Sequence, residues 1–149
     1  MTKQQLAEKG AICFEKITDG LRRYADVKLV MDEKKALSHF KSLRKEYGAE
    51  YAYADFYYFR LDYDAREMVN ELLSPEEVSY LELLRPLPGD EEEEIIFPLD
   101  EKLLKIIVRL NASEMLFSTI YFVASEKCDR VRTTWWGNYG KEYICFKDR

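Results

Sequence analysis

The residues of this chain whose types could do chemistry are few and mostly acidic. Asp55, Asp62, Asp64 and Glu67 lie close together in the sequence, and two carboxylates in different surroundings are enough for acid–base hydrolysis. Acidic clusters are common in acidic chains, so their closeness assigns no reaction by itself. His39 is the single histidine. It falls on a predicted helix beside Phe40, and the fold would have to bring it a carboxylate or thiol before it could act as a base. A half-buried helix residue is the simpler reading. No second histidine or cysteine pair completes a zinc site, and the acidic run 90–94 lacks the Asp/Asn/Gly spacing of a calcium loop. Nucleotide-binding, nucleophile-elbow and metalloprotease motifs are absent from the sequence, so no cofactor is expected.

Charge is the stronger signal. Residues 1–50 carry a balance of +3, residues 51–100 of −11 and residues 101–149 of +3, so nearly all of the net −5 comes from one block. That block opens with Tyr51, Tyr53, Phe56, Tyr57, Tyr58, Phe59 and Tyr63. An acidic surface with tyrosines beside it suits a basic protein partner. The candidate contact residues are Tyr53, Asp55, Tyr58, Asp62, Glu91, Glu92, Glu93 and Glu94. Each has a plainer reading. Charge runs are usually solvated loops, and alternating aromatics usually feed a core, as expected here for Tyr57, Phe59 and Leu61. Nucleic acid is not expected as a partner, because a phosphate backbone is met by Lys and Arg.

The elements that must position these residues follow from periodicity and caps. An amphipathic helix is predicted over 3–25 with Thr2 as N-cap, weakened by Gly10 and Gly20. A short strand is predicted over 27–31, then a helix over 33–47 capped by Asp32 and closed by Gly48. The aromatic run 51–63 alternates and reads as one strand. Residues 64–73 read as helical. Ser74, Pro75 and Glu77 form a capping box with proline at the first helical position, which starts a helix over 75–85. The 86–94 loop follows, then an edge strand at 95–97 limited by Pro98. A helix over 101–110, capped by Asp100, comes next. Strands at 115–123, 130–136 and 142–146, with a turn at 137–140, give a C-terminal meander. Trp135 and Trp136 must face opposite sides of it. Lys127, Arg130 and Arg132 read as charges solvating a strand edge. The fold class is α+β: a single domain over 1–149, its helices packed on a mainly antiparallel sheet.

At 149 residues and 47% hydrophobic content the chain is expected to form one soluble domain. Cys13, Cys128 and Cys145 are odd in number and unpaired in pattern, so free thiols are expected. No signal peptide or membrane-length apolar run is visible, which points to a cytoplasmic protein with no membrane contact. Small, acidic, motif-poor domains of this type look like bacterial immunity or antitoxin-type proteins. On that likeness in size, charge and composition, the expected function is non-catalytic binding of a basic protein, such as a toxin. The alternative is a small hydrolase-like enzyme using carboxylates near the aromatic strand.

Overall fold

Alternating side chains along the C-terminal third build the centre of the sheet. In the computed structural model, which describes residues 1–125 and 129–149, six antiparallel strands form one sheet. They are β1 (Ala25–Val30), β2 (Ala52–Asp55), β3 (Ile96–Pro98), β4 (Thr119–Phe122), β5 (Thr133–Gly137) and β6 (Glu142–Lys147), in the order β1-β6-β5-β4-β2-β3. The last three strands are the expected meander, and β3 is the expected edge. Six helices, α1 (Lys3–Glu8), α2 (Ile17–Arg23), α3 (Glu33–Tyr47), α4 (Tyr63–Asn70), α5 (Pro75–Leu83) and α6 (Glu101–Ala112), complete an α+β architecture.

The period of two sorts the strand residues onto two covered faces. Ala52, Ala54, Ile120, Phe122, Trp135, Tyr143 and Cys145 face one way. They share a core with Phe40, Leu43 and Tyr47 of α3 and Leu103, Leu104 and Ile107 of α6. Phe40 meets Trp135 and Tyr143 edge-on, with ring centroids 5.4 and 5.1 Å apart. The opposite face, including Tyr53, Tyr121, Trp136, Ile144 and Phe146, packs under residues 1–24. The two tryptophans do face opposite sides, and Trp136 stacks on Phe14 with centroids 5.7 Å apart.

Where helix caps are written into the sequence, the helices start there. Asp32, Ser74 and Asp100 accept N–H bonds from Lys35, Glu77 and Leu103 at 2.8, 3.1 and 2.8 Å. Glu77 also reaches back to the Ser74 N–H at 2.9 Å, closing the capping box.

Two expected elements are different in the structure. The 3–25 helix is two short helices. Gly10 has φ +99°, outside the helical region, and turns the chain so that 11–14 lies flat on the sheet. Thr134 Oγ1 donates to the Ile12 carbonyl at 2.8 Å and Arg132 Nη1 to that of Gly10 at 3.0 Å, which pins the segment. The aromatic run 51–63 is not one strand either. Only Ala52–Asp55 is β, and Tyr58–Arg60 forms a 3-10 turn before α4. The turn sends the adjacent Tyr58 and Phe59 both inward, which a strand could not do.

One close approach fixes the end of the meander. A Cβ on Gly137 would lie 2.8 Å from Asn111 Nδ2 and 2.9 Å from the Ser118 carbonyl. Asn111 needs that place. Its Oδ1 accepts the Ser118 N–H at 2.9 Å and its Nδ2 donates to the Tyr143 hydroxyl at 3.0 Å, so a buried amide is satisfied between α6 and the sheet.

Candidate functional site

Helix α4 is the clearest case of a surface that its own helix physics does not explain. Asp62 caps it, accepting the Ala65 N–H at 2.8 Å. Val69 anchors it in the core. Arg66 turns back to the Leu61 carbonyl at 3.2 Å and lies over the Tyr58 ring. The opposite face is Tyr63, Asp64, Glu67, Met68, Glu71 and Leu72, a continuous exposed stripe at positions i, i+1, i+4, i+5, i+8 and i+9. Tyr63 is 74% exposed, Met68 55% and Leu72 37%. Asp64, Glu67 and Glu71 form no ion pair among the described residues, and Glu67 and Glu71 repel one another at i, i+4. Glu71 stands at the C-cap, where the helix dipole favours a cation. Leu83 at the end of α5 and Leu87 just beyond it are also exposed.

The acidic loop is more occupied than its composition implies. Glu91 accepts the Gly89 N–H at 2.9 Å, Glu92 pairs with Arg60 at 2.8 Å, and Glu94 pairs with the Met1 amine. Asp90 and Glu93 remain exposed. Of the expected contact residues, Asp62 is thus a helix cap and three of the four glutamates have local partners.

The tyrosines chosen from sequence are interior. Tyr58 is fully buried, stacks on Phe56 with centroids 5.8 Å apart, and donates its hydroxyl to Asn70 Oδ1 at 2.7 Å. Tyr53 is buried on the other face of the sheet, its hydroxyl bonded to the Glu50 carbonyl at 3.1 Å. Neither offers a contact surface, because both rings were needed to fill the core around β2. Within the 51–63 run the exposed aromatic is Tyr63. Sequence reasoning passed over Met68 and Leu72, although the helical stripe that carries them could have been read.

Asp55 is the second notable carboxylate. It is 4% exposed at the end of β2, where the ladder with β4 stops at the Ala54–Ile120 pair. The next N–H, that of Thr119, donates to Asp55 Oδ1 at 2.7 Å, and the Tyr121 hydroxyl donates to Oδ2 at 3.3 Å. Burial pushes the Asp55 carboxyl up to about 6, against the opposing pull of the Thr119 N–H and the positive charge of Lys3. Burial and the nearby carboxylate raise Tyr57 and Tyr121 well above the usual phenol range. These groups line a cavity of about 260 Å³ with Lys3, Glu15, Phe117 and Trp136. Asp55 is therefore no surface contact either.

His39 belongs to neither region. Its ring meets Trp135 edge-on at 4.9 Å, on the α3 side of the sheet, while Asp55 lies on the other side. Its Nε2 is buried without a hydrogen bond, and burial, then Lys35, lowers its pKa. A His39–Asp55 pair is excluded by this placement. Among the described residues no group of three or more His, Cys, Asp or Glu is placed to hold a metal ion. The thiols of Cys13 and Cys145 are free, and burial pushes both up to about 11, which makes them poor nucleophiles. Cys128 and Lys127 fall outside the described residues. No helix among the described residues is long and apolar enough to cross a membrane.

Comparison with protein-family models, with curated proteins and with solved structures gave no significant match. A concavity of about 590 Å³ lies between α5 and α6. Several of its polar groups are engaged locally. Arg109 forms a two-pronged pair with Glu77 at 2.6 and 3.0 Å, and Tyr80 donates to Asp100.

Proposed function

We propose that this protein is a non-catalytic binding module that docks a basic protein partner through the outer face of α4. In its most specific form it is an inhibitor of the immunity or antitoxin type, which occludes a cationic site on a toxin. The observation that carries this reading is the α4 stripe. Among the described residues three acids without an ion pair flank an exposed tyrosine and methionine, and two of them, Glu67 and Glu71, stand against helix electrostatics. Apolar anchors inside a charged rim are the usual composition of a protein contact, with the charges steering association and the anchors slowing release. Leu83, Leu87, Asp90 and Glu93 offer further apolar and acidic groups in the same chain region.

Affinity capture from cells that make the protein, run in parallel with wild type and with Tyr63→Ala/Met68→Ala, tests this. A basic protein retained by wild type and lost by the double variant is the expected result. The same protein bound equally by both, with circular dichroism unchanged, sinks the assignment of the face.

One observation supports a second reading. A buried carboxylate whose pKa is pushed up to about 6, at the wall of a cavity lined by two tyrosines, could exchange a proton with a bound substrate. Under that hydrolase-like reading Asp55 is the acid–base group, and neither Asp62 nor His39 takes part. Turnover of a small substrate that is abolished by Asp55→Asn and untouched by the α4 variant would favour it over the binding module.

A further inference from the structure

The two edges of the sheet are finished differently. β3 is three residues long, ends in Pro98, and is covered by Met1, whose amine donates to the Ile96 carbonyl at 3.2 Å and whose carbonyl accepts the Ile96 N–H at 3.0 Å. That edge has the short length and the proline that keep other strands away. β1 has neither. It runs six residues, five of them exposed, with Val27 49% and Val30 65% exposed and Leu29 between them.

The phase of its free hydrogen bonds can be read. The Met31 N–H donates to the Lys141 carbonyl at 2.9 Å, continuing the β1–β6 register. Alternate residues of an antiparallel strand aim their N–H and C=O at the same neighbour. Ala25, Val27 and Leu29 therefore bond to β6, and Asp26, Lys28 and Val30 aim their backbone groups away from the sheet.

We propose that β1 pairs antiparallel with β1 of a second copy of this chain, about a two-fold axis through Val27. Outward-bonding residues must oppose one another, so the axis has to pass through a residue rather than between two. Through Val27, Asp26 of each copy faces Lys28 of the other, and both contacts are between opposite charges. Through Asp26 or Lys28, a like charge faces itself. Through Leu29, Lys28 faces Val30 and Asp26 has no opposite residue in the strand. Only the Val27 axis pairs every charge. In that register Val27 meets its own copy and Ala25 meets Leu29 on the α3 side, so the exposed Val27 and Leu29 side chains are covered as well. A lysine on an edge ordinarily repels further strands. Here an aspartate two positions away, on the same face, gives it a partner in one register. The contact is small, so the dimer is reversible. It uses the opposite side of the sheet order from β3 and does not depend on the α4 reading.

Sedimentation velocity over a concentration series tests it. The expected result is a mass moving from 17.7 kDa toward twice that value as concentration rises. Lys28→Asp, which sets aspartates against aspartates, should weaken association about tenfold or more, whereas Asp26→Lys/Lys28→Asp should restore it. Both positions are exposed, so circular dichroism should stay unchanged. A second measurement fixes the register. Val27→Cys should give a covalent dimer on mild oxidation, because directly opposed Cβ atoms lie about 5 Å apart; Leu29→Cys and wild type should not. A wild-type chain that stays monomeric to ~1 mM overturns the proposal. So does a charge swap that fails to restore association, or a Leu29→Cys dimer without a Val27→Cys one.

Discussion

Asp55 and Glu67 come from the same acidic block, and the fold treats them in opposite ways. Asp55 is enclosed, takes the Thr119 N–H and the Tyr121 hydroxyl, and has its proton affinity raised by burial. Glu67 stands in water on α4, with another glutamate four residues on and no cation within reach among the described residues. The first carboxylate is explained by its donors. It closes the β2–β4 ladder where backbone pairing runs out, and an unmet N–H in the interior would cost more than the acid does. The second has no such explanation inside the molecule. A buried acid with partners is evidence about architecture, whereas an exposed acid placed against local electrostatics is evidence about something outside the chain.

The strongest way to break this contrast is to remove the interior acid. Asp55→Ala should lower stability by about 2–4 kcal/mol at pH 5, since the Thr119 N–H and Tyr121 hydroxyl lose their acceptor. Urea unfolding should show a lower midpoint with an unchanged slope. A loss below about 1 kcal/mol would mean that water replaces the carboxylate freely, and that the cavity is wetter than its lining indicates.

Asp55→Asn sharpens the same point through pH. Burial pushes the folded carboxyl up to about 6, against an ordinary value of 3.8 in the unfolded chain. Between those values the folded state holds the proton more tightly, so this group favours folding fully at low pH. That contribution is lost as pH rises through about 4 to 6. Asparagine has no such slope. The stability of Asp55→Asn relative to wild type should therefore rise across that window and level off above it. Comparing the two cancels the opposite trend from Glu77, Glu82 and Asp148, whose pKa values are lowered. A difference that is flat from pH 4 to 7 would show that Asp55 titrates as an ordinary exposed acid.

What the sequence disclosed and concealed follows the same division between local and distant causes. Asp32, Ser74 with Pro75 and Glu77, and Asp100 announce their helices because a cap bonds to an N–H within three residues. The meander was legible because period-two patterning and a four-residue turn are local too. The position of Asp55 was not. Its donor lies 64 residues away, and nothing near Asp55 hints at it. The 51–63 alternation misled for a related reason. Aromatics at every position satisfy a strand or a 3-10 turn equally well, and core volume around Phe56 and Phe97 decided between them. Tyr53 and Tyr58, expected as contacts, are interior filling instead. The α4 stripe is readable at helical spacing, but Tyr63, Met68 and Leu72 face out, where the period of a core-packing helix places polar residues.

The smallest expected change in stability separates the two kinds of acid most cleanly. Glu71→Lys replaces a repulsive i, i+4 pair with Glu67 by an attractive one in the favoured order, acid before base. It also puts a cation at the C-terminal end of α4, where the helix dipole favours one. Together these should raise stability by about 0.5–1 kcal/mol, seen as a higher urea midpoint. If α4 meets a basic partner, the same substitution should slow association and flatten its salt dependence, because a steering charge has been reversed. Tyr63 and Met68 remain, so the dissociation rate should change far less than the association rate. A helix that gains stability while losing its partner would explain why glutamate stands there. Unchanged association kinetics, with the gain in stability confirmed, would leave Glu71 as a surface residue of no consequence and remove the argument from electrostatics for the α4 face.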